Sequence, residues 1–244
     1  MTLTIGILET GTPPAELINQ YSGYGAMFVD LLGGADSSLN FIIYPVRENR
    51  FPDSIDACDG WLITGSKHGV YENLPWMLRL QEFLQQCQSA EKKVVGICFG
   101  HQILAAAMGG KVEKFAQGWS VGPQQYTIDD PAMLADFQAT HFSLNAMHQD
   151  QVVVAPPGSR TIASSSFCRY AGLAYGNWAI SLQAHPEFSD SYEKALVALR
   201  RRSVIPEALA DAALEQLEGN DSVNEGERIA HWISRFFKYK AGAH

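Results

Sequence analysis

Four short apolar runs, TIGILE (4–9), NFIIYPV (40–46), GWLIT (60–64) and KVVGI (93–97), alternate with segments whose apolar residues recur at helical spacing. Strands apolar on both faces must be covered on both faces, so this alternation predicts a parallel sheet with crossover helices. In the connecting segments Leu17, Tyr21, Tyr24, Phe28 and Leu31 form one stripe, and Leu74, Met77, Leu78, Leu80 and Leu84 form another. Both are expected to be core faces. From about 111 to 185 the pattern changes to strands and turns: KVEKF, QQYTI, HFSLNAMH, QVVVA, TIASSS, AGLAYG and WAISLQA, separated by Gly, Pro or Asp. This reads as an antiparallel addition that returns to the main sheet. Beyond 189 the chain is helical in pattern. Pro206 opens one segment, and Ser222-Val223-Asn224-Glu225 has the spacing of a capping box before another. In that last helix Ile229, Trp232, Ile233, Phe236 and Phe237 share one apolar face, expected to pack back onto the domain, with a partner-docking surface as the alternative.

The 244 residues suit one large α/β domain spanning 1–244, with a mostly parallel central sheet flanked by helices, a small antiparallel addition and a helical C-terminal extension over 190–244. A formal net charge of −8 provides no electrostatic footprint for nucleic acid or an anionic membrane. The one basic run, Arg200-Arg201-Arg202, reads as a solvated helix face. MTLTIGILET lacks the positive start and long apolar core of a signal peptide, and no apolar run approaches a membrane span. A cytoplasmic protein is expected. Cys58, Cys87, Cys98 and Cys168 are scattered without CxxC spacing, which argues against a disulfide framework and against a zinc site. No metal and no cofactor is expected.

Two stretches have the outline of a nucleophile elbow, GICFG (96–100) and GWSVG (118–122). Such an elbow needs a strand end, a sharp turn with small residues two positions either side of the nucleophile, and a helix immediately after. Ser120 fails this test, because Pro123 and the strand-like QQYTI follow it. Cys98 passes it, since KVV precedes and the helix-forming HQILAAAM follows, closed by Gly109-Gly110. A helix N-terminus there would lower a thiol's pKa and help hold an oxyanion. Taken alone, a cysteine in a glycine-rich turn serves architecture equally well. A nucleophile also needs a base oriented by a carboxylate.

His185 is the candidate base. It ends the apolar run WAISLQA, and Glu187 lies two residues on, on the same side of an extended segment held by Pro186. His148 and Asp150 form a second local pair, equally suited to supporting a pocket or a turn. His101 is expected in the first turn of the helix behind the elbow, and His68, His231 and His244 are expected at the surface. Cys58, Cys87 and Cys168 have no elbow and read as packing residues. The loop TGSKHG (64–69) follows a strand and can present the N–H groups of Gly65 and Ser66 toward the elbow, as an ordinary strand-to-helix turn also would.

Gly96-Ile-Cys98-Phe-Gly100-His-Gln102, followed by His185-Pro-Glu187 and preceded by Thr64-Gly65-Ser66, resembles the class I, triad-type glutamine amidotransferases over about residues 1–190. The similarity is greatest to free-standing members like the glutaminase domain of GMP synthase, a group that includes γ-glutamyl peptidases. The resemblance implies a flavodoxin-like fold, with Cys98 as nucleophile, His185 as base and then acid, and Glu187 as its orienter. It implies oxyanion donors at the backbone of Phe99 and of Ser66 or Gly65. Gln102 would hold the amino-acid end of the substrate, and His148 with Asp150 would support the pocket. Lys67 stands where the family often has proline.

These residues imply hydrolysis of the γ-amide of glutamine, or of a γ-glutamyl compound, through a cysteinyl thioester. No P-loop or synthetase region is present, so any acceptor of released ammonia is expected on a partner chain. Two alternatives stand beside this reading. One is a γ-glutamyl peptidase that works without a synthetase, and the other is a non-catalytic, DJ-1-like redox-sensing module in which Cys98 is oxidised.

Overall fold

The computed structural model describes residues 2–219 and 223–239. Its strands are β1 (Leu3–Leu8), β2 (Leu39–Tyr44), β3 (Gly60–Ile63), β4 (Lys93–Ile97), β5 (Lys111–Lys114), β6 (Ser120–Ile128), β7 (His141–His148), β8 (Asp150–Val154), β9 (Ser159–Ser164), β10 (Gly172–Tyr175) and β11 (Ala179–Leu182). Its helices are α1 (Tyr24–Ala35), α2 (Pro75–Ser89), α3 (Phe99–Ala107), α4 (Pro131–Phe137), α5 (Asp190–Arg200), α6 (Glu207–Glu218) and α7 (Gly226–Lys238). The main sheet has the order β2-β1-β3-β4-β11-β10-β9-β6-β7, and β5 pairs separately with β8. From β2 to β11 every pairing is parallel, and from β11 to β7 every pairing is antiparallel. The antiparallel addition therefore extends the main sheet, and β11 returns beside β4.

Alternation along the central strands decides which layer each residue joins. Ile5, Ile7, Leu62, Val95 and Ile97 pack with Phe28 and Leu32 of α1 and with Ile229, Ile233 and Phe237 of α7. Leu8, Trp61, Ile63 and Val94 pack on the other face with Met77, Leu80 and Leu84 of α2 and Phe99, Ile103 and Leu104 of α3. Gly6 is needed under Trp61, since a Cβ there would lie 2.1 Å from the indole ring. The apolar face read in the last helix is thus part of the core. Full burial of each of its three inward residues contributes about 1.5–3 kcal/mol.

Three expectations are corrected. Leu17 and Tyr21 do not extend the first helix, because residues 15–20 form turns behind Pro13-Pro14 and α1 begins only after Gly23. Its inward residues are Phe28 and Leu32, with Leu31 half-buried. Leu78 is exposed, so the inward face of α2 is carried by Met77, Leu80 and Leu84. The last helix begins later than the capping-box spacing implies: Ser222 lies outside the described residues, and Glu225 precedes α7. Glu225 instead ties the helix start to β7, accepting the Ser143 N–H at 2.8 Å and donating its own to the Ser143 carbonyl at 2.9 Å. No helix among the described residues is long and apolar enough to cross a membrane.

Candidate active site

The elbow forms where β4 meets α3. Cys98 has a positive φ, at φ 54°, ψ −103°, a conformation that costs a non-glycine residue energy and concentrates at functional sites. The two flanking glycines have a steric cause. A Cβ on Gly96 would lie 2.5 Å from the Gly100 carbonyl oxygen, and one on Gly100 would lie 2.4 Å from that of Ile63. Neither gap accommodates a methyl group, and both neighbours are backbone. Gly100→Ala is accordingly expected to destabilise the fold by about 3 kcal/mol, read as a lower denaturant midpoint; an unchanged midpoint would show that the elbow tolerates a side chain.

GWSVG has no such geometry. Ser120 begins β6, Gly122 pairs with Ala146, and no helix follows, as the sequence indicates.

His185 approaches the elbow from the exit of β11. Its N–H bonds the Asn145 carbonyl of β7 at 2.9 Å, and its Nδ1 meets Glu187 Oε1 at 2.8 Å. The route to that contact differs from the extended segment expected: β11 ends at Leu182, and Pro186 and Glu187 lie in a turn. Cys98, His185 and Glu187 are all buried. Burial opposes a charged imidazole, but the neighbouring Cys98 and the Glu187 carboxylate outweigh it, holding His185 well above its ordinary value. The ring is also fixed from the side, stacked on Phe188 with centroids 3.8 Å apart and planes 4° from parallel.

The loop after β3 closes the other side. A Cβ on Gly65 would lie 3.0 Å from His185 Cε1 and 3.8 Å from Cys98 Cβ. The Thr10 hydroxyl donates to the Gly65 carbonyl at 3.0 Å and fixes the loop's orientation. Among the described residues, the N–H groups of Gly65 and Ser66 make no hydrogen bond. Phe99 opens α3, where an N–H has no partner within the helix. Lys67 is exposed at the rim.

A cavity of about 620 Å³ opens at this point, and Gly65, Ser66, Cys98, Gln102, His148, Asp150 and His185 all line it. The structure therefore brings the residues singled out in the sequence to one place. Two of them are arranged differently from the reading. The His148 ring meets the backbone carbonyl of Asp150, at 3.3 Å, and not its carboxylate. Burial and the nearby His185 charge push His148 down to about 3, so it is neutral. The Gln102 amide nitrogen donates to the Asp150 carbonyl at 2.9 Å and to Gln183 at 3.1 Å, leaving its carbonyl oxygen as its remaining polar group.

The other histidines and thiols are set apart. His101, in α3, is fully buried beside Ser181 and pushed down to about 3 by that burial. His68 pairs with Glu72 at 2.9 Å, His231 is exposed on α7, and His244 lies outside the described residues. Burial raises the Cys58 thiol and pushes Cys87 and Cys168 up to about 12, which suits inert packing residues. Among the described residues no group of three or more His, Cys, Asp or Glu side chains is placed to hold a metal ion.

Several residues that shape the site escape sequence reasoning. Asn145 and Asn224 both donate to the Phe188 carbonyl, at 3.1 and 2.9 Å, and pin the segment behind Glu187. Gly226 allows the tail to approach it, since a Cβ there would lie 2.3 Å from the Pro186 carbonyl oxygen. Glu193 of α5 is wholly buried, with Oε1 accepting the Gly122 N–H at 3.1 Å. Desolvation pushes it from 4.5 up to about 8, against the opposing pull of His185.

That shift has a stability consequence. The unfolded chain ionises Glu193 near 4.5 and the folded chain keeps its proton to about 8, so this group's contribution falls as pH rises between those values. Glu193→Gln cannot ionise. It is expected to flatten the decline in melting temperature from pH 5 to pH 8 and to gain a few kcal/mol, in order of magnitude, over the parent at the upper end. Equal slopes in the two proteins would contradict this.

The cysteine elbow, the buried histidine–glutamate pair and the cavity thus stand together on one mostly parallel α/β core. The chain belongs to the class-I glutamine amidotransferase family, whose model matches residues 17–200. Gamma-glutamyl peptidase 3 of Arabidopsis thaliana is 31% identical over 177 residues, covering 69% of this chain and 70% of its own. A glutamine amidotransferase-like protein of Schizosaccharomyces pombe is 30% identical over 231 residues, covering 89% and 93%. Among solved structures, a glutamine amidotransferase of Thermotoga maritima superposes with a TM-score of 0.75 at 16% identity, covering 98% of this chain and 97% of its own, a likeness of fold. Family membership supports amidohydrolase chemistry on a small molecule, glutamine or a γ-glutamyl compound.

Proposed function

We propose that the protein hydrolyses γ-glutamyl amides through a covalent thioester on Cys98. The observation that carries this reading is the buried His185, bonded to Glu187 and set with Cys98 around Gly65 at the head of a strained elbow that lines the cavity. The Cys98 thiolate attacks the γ-carbonyl carbon, and the carbonyl π-electrons move onto oxygen. The N–H groups of Phe99 and of Gly65 or Ser66 hold that oxyanion. As the tetrahedral species collapses, the C–N bond breaks and His185 delivers its proton to the leaving nitrogen. Water, deprotonated by the now neutral His185, attacks the thioester and releases glutamate, and the thiolate–imidazolium pair is restored. Glu187 holds the imidazole in the tautomer and charge state this cycle needs. The Gln102 carbonyl oxygen is left to accept from the substrate ammonium, and His148 supports the wall behind it. The same reading treats 1–244 as one functional domain, because the tail packs directly on Pro186.

The leaving group divides this reading in two. Free ammonia passed to a synthetase on a partner chain is one version, and release of an amine by a γ-glutamyl peptidase is the other. The kinship with gamma-glutamyl peptidase 3 and a cavity of about 620 Å³ favour the second. Purified protein is expected to release glutamate from γ-glutamyl dipeptides faster than ammonia from glutamine. Failure to release glutamate from either would contradict the proposal.

A further inference from the structure

The cavity extends well beyond the elbow, and its far wall is apolar. Phe188, stacked on His185, belongs to one buried cluster with Leu196 of α5. Met147 packs against that cluster and also against a second one that contains Ile205 and is flanked by Trp119. Leu196, Met147, Trp119 and Ile205 all line the cavity, as does Val204. An unbroken apolar wall therefore starts at the face of the imidazole and runs to the turn between α5 and α6.

The end of α5, just before that turn, also supplies a cation. In the run Arg200-Arg201-Arg202, Arg201 pairs with Glu207 at 2.6 Å and Asp211 at 2.5 Å, and Arg202 pairs with Glu207. Arg200 instead lines the cavity, and among the described residues it makes no ion pair. Its position is fixed by the backbone: the Arg200 carbonyl accepts the N–H groups of Val204 and Ile205, each at 3.1 Å. The run is thus not one solvated helix face: Arg200 ends α5 half-buried, and Arg201 and Arg202 lie beyond the helix, paired with Glu207 and Asp211.

Resting on the hydrolase reading above, we infer that Arg200 and the apolar wall from Phe188 to Ile205 form a subsite for the leaving amine, which is an amino acid with an apolar side chain and a free carboxylate. His185 must reach the leaving nitrogen to protonate it, so the amine departs along the wall that begins at that ring. The bulky part of the amine covers Leu196, Met147 and Trp119, and its carboxylate meets the Arg200 guanidinium. Free glutamine, whose leaving group is ammonia, fills none of this space. Leu196 and Arg200 of α5 and Ile205 of the turn after it supply part of the subsite, so the C-terminal extension sets specificity as well as closing the core.

The test separates binding from turnover. Calorimetry on the Cys98→Ala protein compares γ-glutamyl-phenylalanine, its C-terminal amide and γ-glutamyl-glycine. The first is expected to bind at least about ten-fold more tightly than either other compound. Adding Arg200→Gln should bring the acid and its amide within about two-fold of each other, whereas adding Arg202→Gln should leave their ratio as it was. Equal affinity for the acid and its amide, for the phenylalanine and glycine compounds, or an Arg200→Gln protein that keeps its preference, overturns the subsite. Glutamate release by the unaltered protein is read separately. Discrimination in binding without any release would overturn the hydrolase reading and keep the subsite, and release without discrimination would do the reverse.

Discussion

The Cys98→Ala protein is expected to lose at least about 10⁴-fold in kcat on any γ-glutamyl amide while folding normally. The chemistry requires this, because without the sulfur no covalent intermediate forms, and the remaining oxyanion donors and His185 act only on a water that nothing positions. The fold should survive. Cys98 is a small buried side chain, alanine at φ 54° carries the same backbone strain, and the elbow is set by Gly96 and Gly100. A change in stability within about 1 kcal/mol is expected, checked by chemical denaturation beside steady-state kinetics. An undiminished rate would remove Cys98 from the mechanism.

Glu187→Gln should be the next most damaging change, lowering kcat by about 10²- to 10⁴-fold with little effect on KM. The carboxylate does not touch substrate in the proposed mechanism. It raises His185 by its charge and accepts from Nδ1 at 2.8 Å. A glutamine there can turn its amide toward the ring and fix the wrong tautomer, and it supplies no charge. His185 should then hold its proton less tightly, visible as an imidazole titration moved to lower pH in the variant. A rate within about three-fold of the parent would show that Glu187 is not its orienter.

The parts of the fold readable from the sequence were those governed by local pattern. β1 and β4 fall within a residue or two of the apolar runs that mark them, because both faces of those strands are buried. The first stripe misled because turn residues can sit at helical spacing by coincidence, and Leu17 is buried without being helical. α4 was missed although Asp130-Pro131 announces it: Asp130 accepts the Met133 N–H at 2.8 Å and proline occupies the first turn. At the site, the elbow and the His185-Pro186-Glu187 segment were legible because their chemistry lies in residue type and short spacing. The pins on that segment were not. Asn145 and Asn224 lie 43 and 36 residues from Phe188, and only the folded chain brings them together. Arg200 was hidden for a related reason, since its two neighbours are paired with acidic residues and only the folded chain sets the end of α5 on the cavity.

The central claim is that Cys98 is an acyl-transfer nucleophile set in a γ-glutamyl pocket, and a glutamine-like electrophile tests it most directly. The protein is incubated with the probe, and the site of modification is read by peptide mass spectrometry. Labelling of Cys98 alone, slowed by added γ-glutamyl dipeptide and sharply reduced by Glu187→Gln, is the predicted result. A Cys98 that is oxidised by peroxide but never modified by this probe would contradict the claim and identify a redox-sensing thiol instead.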